Sequence, residues 1–217
     1  MNPHDVTKQF EKELCEYTGA PYAVTVTSCT AALMLSVKWF LKNRQDGDMR
    51  VEIPKRTYVS VPQSIIHAGG RPVFRDEDWI GAYQLSPLPV WDSARFFSSG
   101  MCVGVDSYSQ PWMPFRNMAG QFVCVSFHWT KILGIGQGGA ILHDNPEADE
   151  WLRRARFDGR KEGVAPKDDT FTMVAHHCYM SPRDAAEGLS RLAILPRHND
   201  PLPNDDYPDL SQIEVFR

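Results

Sequence analysis

The sequence predicts an α/β fold, arranged as a three-layer α/β/α sandwich around a reduced sheet of mixed and parallel strands. Short apolar runs that suit buried strands, such as residues 22–26 and 123–125, alternate with longer segments whose apolar residues recur at helical spacing. Hydrophobic residues make up 42% of the chain and charged residues 23%, a balance typical of a protein with a buried core.

The length of 217 residues predicts one domain, residues 1–195, followed by an arm rich in proline and aspartate, residues 196–217. We expect the arm to be extended and ordered only where it packs on another surface. The net charge of −4 argues against general nucleic-acid binding. No apolar run is long enough to span a bilayer, and the N-terminal residues lack the apolar segment of a signal peptide.

The five cysteines are scattered and include no pair spaced as Cys-x-x-Cys. This pattern predicts reduced thiols in a cytoplasmic protein, and it favours neither a disulfide framework nor a zinc site.

The first half of the chain reads as alternating helices and strands. Helices are predicted over 5–17, over 31–43 after a polar start at 28–30, and over 57–69 with Val61, Ile65 and Ile66 inward. Strands are predicted over 22–26, 50–54 and 72–74.

The second half continues the pattern with shorter elements. Strands are predicted over 83–85 in reduced form, over 88–92, over 123–125 and over 140–143, and 101–105 is a candidate short strand inside a loop-rich segment, 96–121. A helix starts at Asn145 and Pro146 and ends near residue 157. A loop covers 158–169, and a last helix follows Ser181 as N-cap and Pro182 as first residue.

A lysine, Lys131, lies in a tight turn between two buried strands, with glycines at 134, 136, 138 and 139. One interpretation is a solvated loop lysine in a hairpin. The other is a lysine whose pKa is lowered by apolar walls, which makes its amine nucleophilic toward a carbonyl group.

Other polar side chains stand where strands end and helices begin. Ser28 and Thr30 are either plain N-caps or part of a phosphate site at a helix N-terminus. Asp92 ends an apolar strand, where it either caps a helix or faces a ligand at the edge of an open sheet. The glycine run 134–139 matches neither a P-loop nor a dinucleotide motif.

The lysine segment resembles the cofactor segment of the DegT/DnrJ/StrS-type sugar aminotransferases, which are pyridoxal phosphate (PLP) enzymes of fold type I. The resemblance is carried by Ser126, Phe127, His128 and Lys131, and by the tail Gly136, Gly138, Gly139 and Ala140. It extends from residue 7 to about 195 and covers the cofactor domain of the family, without its second domain. Between residues 75 and 87 the chain is shorter than the family by roughly one βαβ-sized unit.

The resemblance implies a role for several side chains. Lys131 would form the Schiff base with PLP, and Asp92 would pair with the pyridinium nitrogen of the ring. Tyr58 would stack on the ring, although the residues alone also allow a buried aromatic at a helix start. The phosphate would be held by Ser28, Cys29, Thr30 and Ser126, with Cys29 in place of the usual glycine.

Two positions depart from the pattern of the family. Arg95 replaces a glutamine that contacts the phenolic oxygen of the cofactor, and its fixed charge would stabilise the phenolate. His177 replaces an asparagine that reaches the phosphate in the neighbouring subunit of a homodimer. It is also open to interpretation as an exposed loop histidine.

The resemblance therefore implies a PLP-dependent aminotransferase. The amino group would come from an amino acid, glutamate or glutamine, and would go to a keto acceptor such as a nucleotide-linked sugar. Two alternatives stay open at this point. One is other PLP chemistry, namely elimination, decarboxylation or racemisation. The other is a binding remnant without catalysis.

Overall fold

The structure is a computed structural model that describes residues 4–43, 49–103 and 118–216. Its α-helices are α1 His4–Thr18, α2 Cys29–Leu41, α3 Ser60–His67, α4 Pro146–Ala155 and α5 Pro182–Leu192. Its strands are β1 Tyr22–Val26, β2 Arg50–Pro54, β3 Arg71–Arg75, β4 Tyr83–Gln84, β5 Val90–Asp92, β6 Phe122–Ser126 and β7 Gly139–His143. Each of these elements overlaps a predicted one.

The main sheet has five strands in the order β1-β7-β6-β5-β4. Strands β5 and β6 are parallel, whereas β7 is antiparallel to both of its neighbours and β4 is antiparallel to β5. Strands β2 and β3 form a separate parallel pair, joined to the main sheet by a bridge between Glu52 and Ser86. The prediction of a reduced, mixed sheet is confirmed.

Alternate side chains of the central strands enter two apolar clusters, one on each face of the sheet. One cluster joins Val24, Cys124 and Ile141 to buried residues of α2, α3 and α4. The other joins Ala23, Val123, Val125 and Leu142 to buried residues of α1 and α5. Helices therefore cover both faces, and the three-layer α/β/α architecture is confirmed.

The strand directions determine where polar loops meet. Strands β1 and β6 run in the same direction, because β7 is antiparallel to both of them. Strand β5 is parallel to β6 and so shares this direction. Their carboxyl ends therefore lie at one edge of the sheet. The loop between β6 and β7 leaves from the same edge, since Ser126 and Gly139 are register partners there.

Three local predictions need correction. Helix α3 begins at Ser60, three residues later than predicted. Ile66 is 43% exposed, because the buried face of α3 is formed by Val61 and Ile65 and the next residue turns away from it. Residues 101–103 form turns rather than a strand, since the N–H of Cys102 donates to the carbonyl of Thr18 at the end of α1. Residues 104 and 105 lie outside the described part of the chain.

The C-terminal arm packs on the domain. The N–H of Leu202 donates to the carbonyl of Arg95 at 2.8 Å, and the N–H of Leu210 donates to the carbonyl of Lys55 at 2.9 Å. The arm ends in two short 3₁₀ helices, Leu210–Gln212 and Glu214–Phe216, and Leu210 is fully buried. The arm is thus ordered by docking on its own chain, and it is not extended throughout. The domain boundary at residue 195 stays a prediction.

An ion cluster of Glu11, Arg153 and Arg156 joins α1 to the end of α4. Arg156 Nη1 lies 2.5 Å from Glu11 Oε1, and Arg153 Nη1 lies 2.6 Å from Glu11 Oε2. The N–H and hydroxyl of Thr25 also donate to Glu11 Oε1. Burial alone would raise the pKa of Glu11, but the two arginines outweigh it and hold the pKa at about 2.

Over the described ranges, the structure contains no helix with the length and apolar character needed to cross a bilayer. Nor does it bring together His, Cys, Asp or Glu side chains in a group that could hold a metal ion. All five cysteines are free, and only Cys15 is not buried.

Candidate active site

A cavity of about 370 Å³ opens at the edge of the sheet where β1, β5 and β6 end. It is lined by every predicted site residue except His177, that is by Ser28, Cys29, Thr30, Tyr58, Asp92, Arg95, Ser126 and Lys131. Its walls also include residues to which the sequence pattern assigns no function, namely Thr57, Trp79, His128, Gln137, Asp205 and Tyr207.

The N-terminus of α2 faces this cavity with several hydroxyl groups. Ser28 is the N-cap, since its Oγ accepts from the N–H of Ala31 at 3.1 Å. The hydroxyl of Thr30 lies 2.8 Å from that of Ser60, and Ser126 ends β6 close by. First-turn N–H groups have no acceptor within their own helix, so this end of α2 is suited to an anion.

Cys29 fits its position without backbone strain. It is the first helical residue of α2 and is not among the residues with positive φ. Its sulfur lies 3.6 Å from the carbonyl oxygen of Cys124, and burial raises its pKa well above the usual value. The position that requires a glycine is instead Gly139, because the backbone of α2 lies so close that a Cβ there would be 2.6 Å from the backbone nitrogen of Cys29.

Asp92 is a buried carboxyl group at the end of β5. Its Oδ2 accepts from the hydroxyl of Tyr83 at 2.9 Å, and its Oδ1 accepts from the N–H of Ala94 at 2.9 Å. Burial raises the pKa of Asp92, while these two hydrogen bonds act against the rise. The helix-cap alternative is wrong, because Asp92 caps a turn and residues 93–103 contain no helix.

The partner of this carboxyl group is Tyr83, a residue to which the sequence pattern assigns no role. Tyr83 stands opposite Asp92 in the antiparallel register of β4 and β5, and its hydroxyl lies 2.5 Å from that of Thr57. Tyr83 is buried, and burial raises its pKa well above the usual value, so it stays a hydrogen-bond donor. The only available signal was the predicted short strand at 83–85, which does not specify a pairing partner.

Lys131 lies in the loop between β6 and β7, half-buried in the cavity wall. Its N–H closes a turn on the carbonyl of His128 at 2.8 Å, and Gly134 supports the loop with φ of 58°. Burial and the charge of Arg95 lower the pKa of the Lys131 amine. Among residues 4–43, 49–103 and 118–216, no carboxylate forms an ion pair with this amine. Lys131 is therefore a half-buried loop lysine whose pKa is lowered, which combines features of both interpretations.

Tyr58 and His177 differ in their relation to the cavity. The side chain of Tyr58 lines it and is 59% exposed, so the alternative of a buried aromatic is wrong. The side chain of His177 is 70% exposed, lies outside the cavity and pairs with Asp158 at 2.7 Å. A single chain does not bring His177 to the other predicted site residues.

Arg95 joins the cavity to the C-terminal arm. Its side chain is only 7% exposed, and its Nη1 and Nη2 atoms lie 2.8 and 3.0 Å from the two carboxylate oxygens of Asp205. The carbonyl of Pro203 accepts a further bond from Nη2, and the hydroxyl of Tyr207 lies 3.3 Å from Nη1. The arm thus forms one wall of the cavity, which no local sequence pattern indicates.

Comparison with known proteins identifies similar chains. The sequence model of the DegT/DnrJ/EryC1/StrS aminotransferase family matches residues 2–89 and 117–201. The spore coat polysaccharide biosynthesis protein SpsC of Bacillus subtilis (strain 168) is 46% identical over 185 residues, covering 72% of this chain and 46% of that protein. A dTDP-3-amino-3,4,6-trideoxy-alpha-D-glucose transaminase of Micromonospora megalomicea subsp. nigra is 28% identical over 183 residues. This match covers 71% of this chain and 48% of that protein.

A solved structure shares the fold. NtdA from Bacillus subtilis, crystallised with its cofactor PMP, superposes with a TM-score of 0.64 at 20% identity, over 88% of this chain and 48% of that one. The chain therefore spans about half the length of the curated relatives that it matches.

Proposed function

The chain belongs to the DegT/DnrJ/EryC1/StrS aminotransferase family, and from this premise we propose that it binds pyridoxal phosphate and transfers amino groups. The observation that carries the proposal is the meeting of Lys131, Asp92 and the N-terminus of α2 in one cavity. These groups come from separate stretches of the chain, and their chemistry matches three different parts of the cofactor.

The residues around the cavity fit PLP. The hydroxyls of Ser28, Thr30 and Ser126, with the N-terminus of α2 and the backbone of Cys29, suit its phosphate group. A carboxyl group as deeply buried as Asp92 favours a cationic partner, which the protonated ring nitrogen provides. At the exposed side of the cavity, the aromatic ring of Tyr58 is available for stacking on the ring.

Each side chain then has a defined task. When bound, the cofactor supplies a ring that accepts electrons from the carbon atom that gains or loses the amino group. Lys131 holds and moves a proton at Nζ, and its lowered pKa makes the neutral, proton-accepting form more accessible. Asp92 keeps a proton on the ring nitrogen, the hydroxyl of Tyr83 holds the carboxyl group in place, and Thr57 in turn holds that hydroxyl.

The similar proteins support the choice of substrates. SpsC is named for polysaccharide biosynthesis, and the Micromonospora relative is named as the transaminase of a dTDP-linked amino sugar. We therefore assign an amino acid, glutamate or glutamine, as donor and a keto sugar linked to a nucleotide as acceptor. A second domain, which the resemblance places after the cofactor domain, would shape the acceptor pocket.

We also propose a homodimer in the cytoplasm. His177 is exposed and outside the cavity of its own chain, so it can reach a phosphate only in a neighbouring subunit. A two-fold dimer is the commonest arrangement that would place it there. Five free cysteines are typical of proteins in reducing compartments.

The test is an amino-transfer assay on the purified chain. PLP and glutamate are added, and both the cofactor absorbance and the release of 2-oxoglutarate are followed. We expect the cofactor band to change as the keto acid appears, and Lys131→Ala to abolish both signals. Lys167→Ala, which alters an exposed loop lysine, serves as the control and should leave both intact.

Two outcomes would contradict the proposal in different ways. A bound cofactor that does not respond to glutamate, glutamine or other amino acids would exclude amino transfer and favour another PLP reaction. A chain that binds no PLP, alone or as a dimer, would leave a binding scaffold without catalysis.

A further inference from the structure

A buried arginine in the cavity already binds a carboxylate. The guanidinium group of Arg95 is nearly removed from solvent, and two of its nitrogens each contact one oxygen of Asp205. The planar fork of arginine fits the two oxygens of a carboxylate in this manner, which a lysine or the glutamine of the family does not. The geometry therefore defines a carboxylate subsite.

The carboxylate that fills this subsite is poorly anchored by its own surroundings. The Asp205 side chain is 66% exposed, whereas that of Arg95 is 7% exposed. Besides Arg95, the hydroxyl of Tyr207 contacts Asp205 at 3.2 Å. Solutes can therefore approach the outer side of this pair, and a carboxylate from solution could take the place of Asp205 without leaving Arg95 unpaired.

The subsite lies beside the amine proposed to take part in the reaction. Arg95, Asp205 and Lys131 line the same cavity. The charge of Arg95 lowers the pKa of Lys131, and the charge of Asp205 raises it, so the three groups interact electrostatically. An amino acid whose carboxylate replaced Asp205 would have its amino group in the same cavity as Lys131.

We propose that Arg95 binds the α-carboxylate of the amino donor, and that Asp205 of the arm occupies this subsite until the donor displaces it. The assignment rests on the proposed function, because it gives the donor a place next to Lys131. One carboxylate replaces another, so Arg95 keeps its charge balance throughout. Only the arm has to move.

This exchange would let one cavity serve two unlike substrates. An amino-acid donor carries a carboxylate, whereas a keto sugar presents no carboxylate at its reacting end. With the donor bound, Arg95 is neutralised by the substrate. With the sugar bound, Arg95 is neutralised by Asp205, so that the arginine has a carboxylate partner in both states.

Hydrogen exchange at the arm tests the proposal directly. The N–H of Leu202 donates to the carbonyl of Arg95, so its exchange rate reports whether the arm is docked. The whole chain is measured with and without saturating glutarate, an unreactive dicarboxylate, and with its uncharged dimethyl ester. The variants are Arg95→Gln and Asp205→Asn, and the control is Asp206→Asn, which alters the adjacent exposed aspartate.

We expect glutarate, but not the ester, to speed the exchange of the Leu202 N–H in the unaltered chain and in Asp206→Asn. Asp205→Asn should exchange rapidly without glutarate, and Arg95→Gln should not respond to it. In the amino-transfer assay, Arg95→Gln should raise the KM for glutamate about tenfold or more, the effect of losing a charged hydrogen-bond partner. Asp205→Asn should lower that KM.

The inference would be overturned if glutarate did not change the exchange rate of the Leu202 N–H, or if it changed that rate equally in Arg95→Gln. So would a KM for glutamate that Asp205→Asn leaves unchanged. The exchange measurement does not depend on turnover. A chain that transfers amino groups with an arm insensitive to glutarate would therefore refute this inference alone, whereas a chain without PLP would refute the proposed function.

Discussion

Two buried arginines, Arg156 and Arg95, each bind a carboxylate, and their surroundings differ in one respect. Arg156 pairs with Glu11, which is also buried and is bonded to Arg153 and Thr25, and with the nearly buried Glu162. The partner of Arg95 is Asp205, which lies on the arm and is mostly exposed. In the first pair both ions are desolvated, and in the second only the cation is.

The difference separates a structural ion pair from an exchangeable one. Breaking a pair in which both partners are buried leaves an isolated charge that nothing from solution can reach. When one partner of the pair is exposed, water or an anion from solution can take the place of that partner. Burial of the carboxylate, rather than the distance between the ions, therefore decides which pair can take part in binding.

The largest expected effect is on stability, from Glu11→Gln. The substitution keeps the shape of the side chain but removes the carboxylate that both arginines contact, so that Arg156 is left with Glu162 and Arg153 with Asp149. We expect the free energy of unfolding to fall by about 3–5 kcal/mol, as measured by urea denaturation at neutral pH and constant protein concentration. The control, Glu16→Gln, alters an exposed pair on the same helix and should change it by about 0.5 kcal/mol or less. Equal effects of the two substitutions would show that burial does not distinguish these pairs.

A smaller effect is expected on acidification, through His143. Its ring lies 3.7 Å from Asp149, which also binds Arg153, and burial lowers the pKa of His143 to about 4. The unfolded chain takes up this proton near pH 6.5, so the stabilisation is complete above that pH and is lost as the pH falls toward 4. The loss should approach about 3 kcal/mol.

Urea denaturation at steps between pH 7 and pH 4 measures this loss. Glu11, with its pKa held at about 2, should begin to contribute only below about pH 4.5, where the unfolded glutamate takes up a proton. A free energy of unfolding that stays constant between pH 6.5 and 4.5 would contradict the assignment to His143.

The smallest expected effect on stability is that of Asp205→Asn. Because Asp205 is exposed, water can replace its carboxylate at Arg95, and we expect the free energy of unfolding to change by less than about 1 kcal/mol. The same urea denaturation series measures it beside Glu11→Gln. A loss comparable with that of Glu11→Gln would mean that the arm is a fixed structural element.

Much of the fold could be predicted because it depends on local patterns. The short apolar runs of β1 and β6, the N-caps Ser28 and Ser181, and the helical spacing in α1 lie within short stretches of the chain. The lysine predicted to bind the cofactor, Lys131, and the glycine-rich segment after it also form one continuous motif. The strands, the helix starts and the lysine segment can therefore be identified from the sequence alone.

The parts that could not be predicted depend on contacts between distant residues. Tyr83 meets Asp92 only because β4 pairs with β5 in a specific register. Asp205 reaches Arg95 across 110 positions of the chain, from a segment whose composition resembles a disordered tail. Composition and spacing do not determine either contact, since each requires the folded domain as a template.

The most direct test of the account is to locate the cofactor on the chain. The purified protein is incubated with PLP, reduced with borohydride, digested and analysed by mass spectrometry, beside Lys131→Ala and the control Lys167→Ala. We predict that the added mass of the cofactor is found on the peptide containing Lys131, in the unaltered chain and in Lys167→Ala only. Labelling spread over surface lysines, and unchanged in Lys131→Ala, would contradict the assignment of this cavity as a pyridoxal phosphate site.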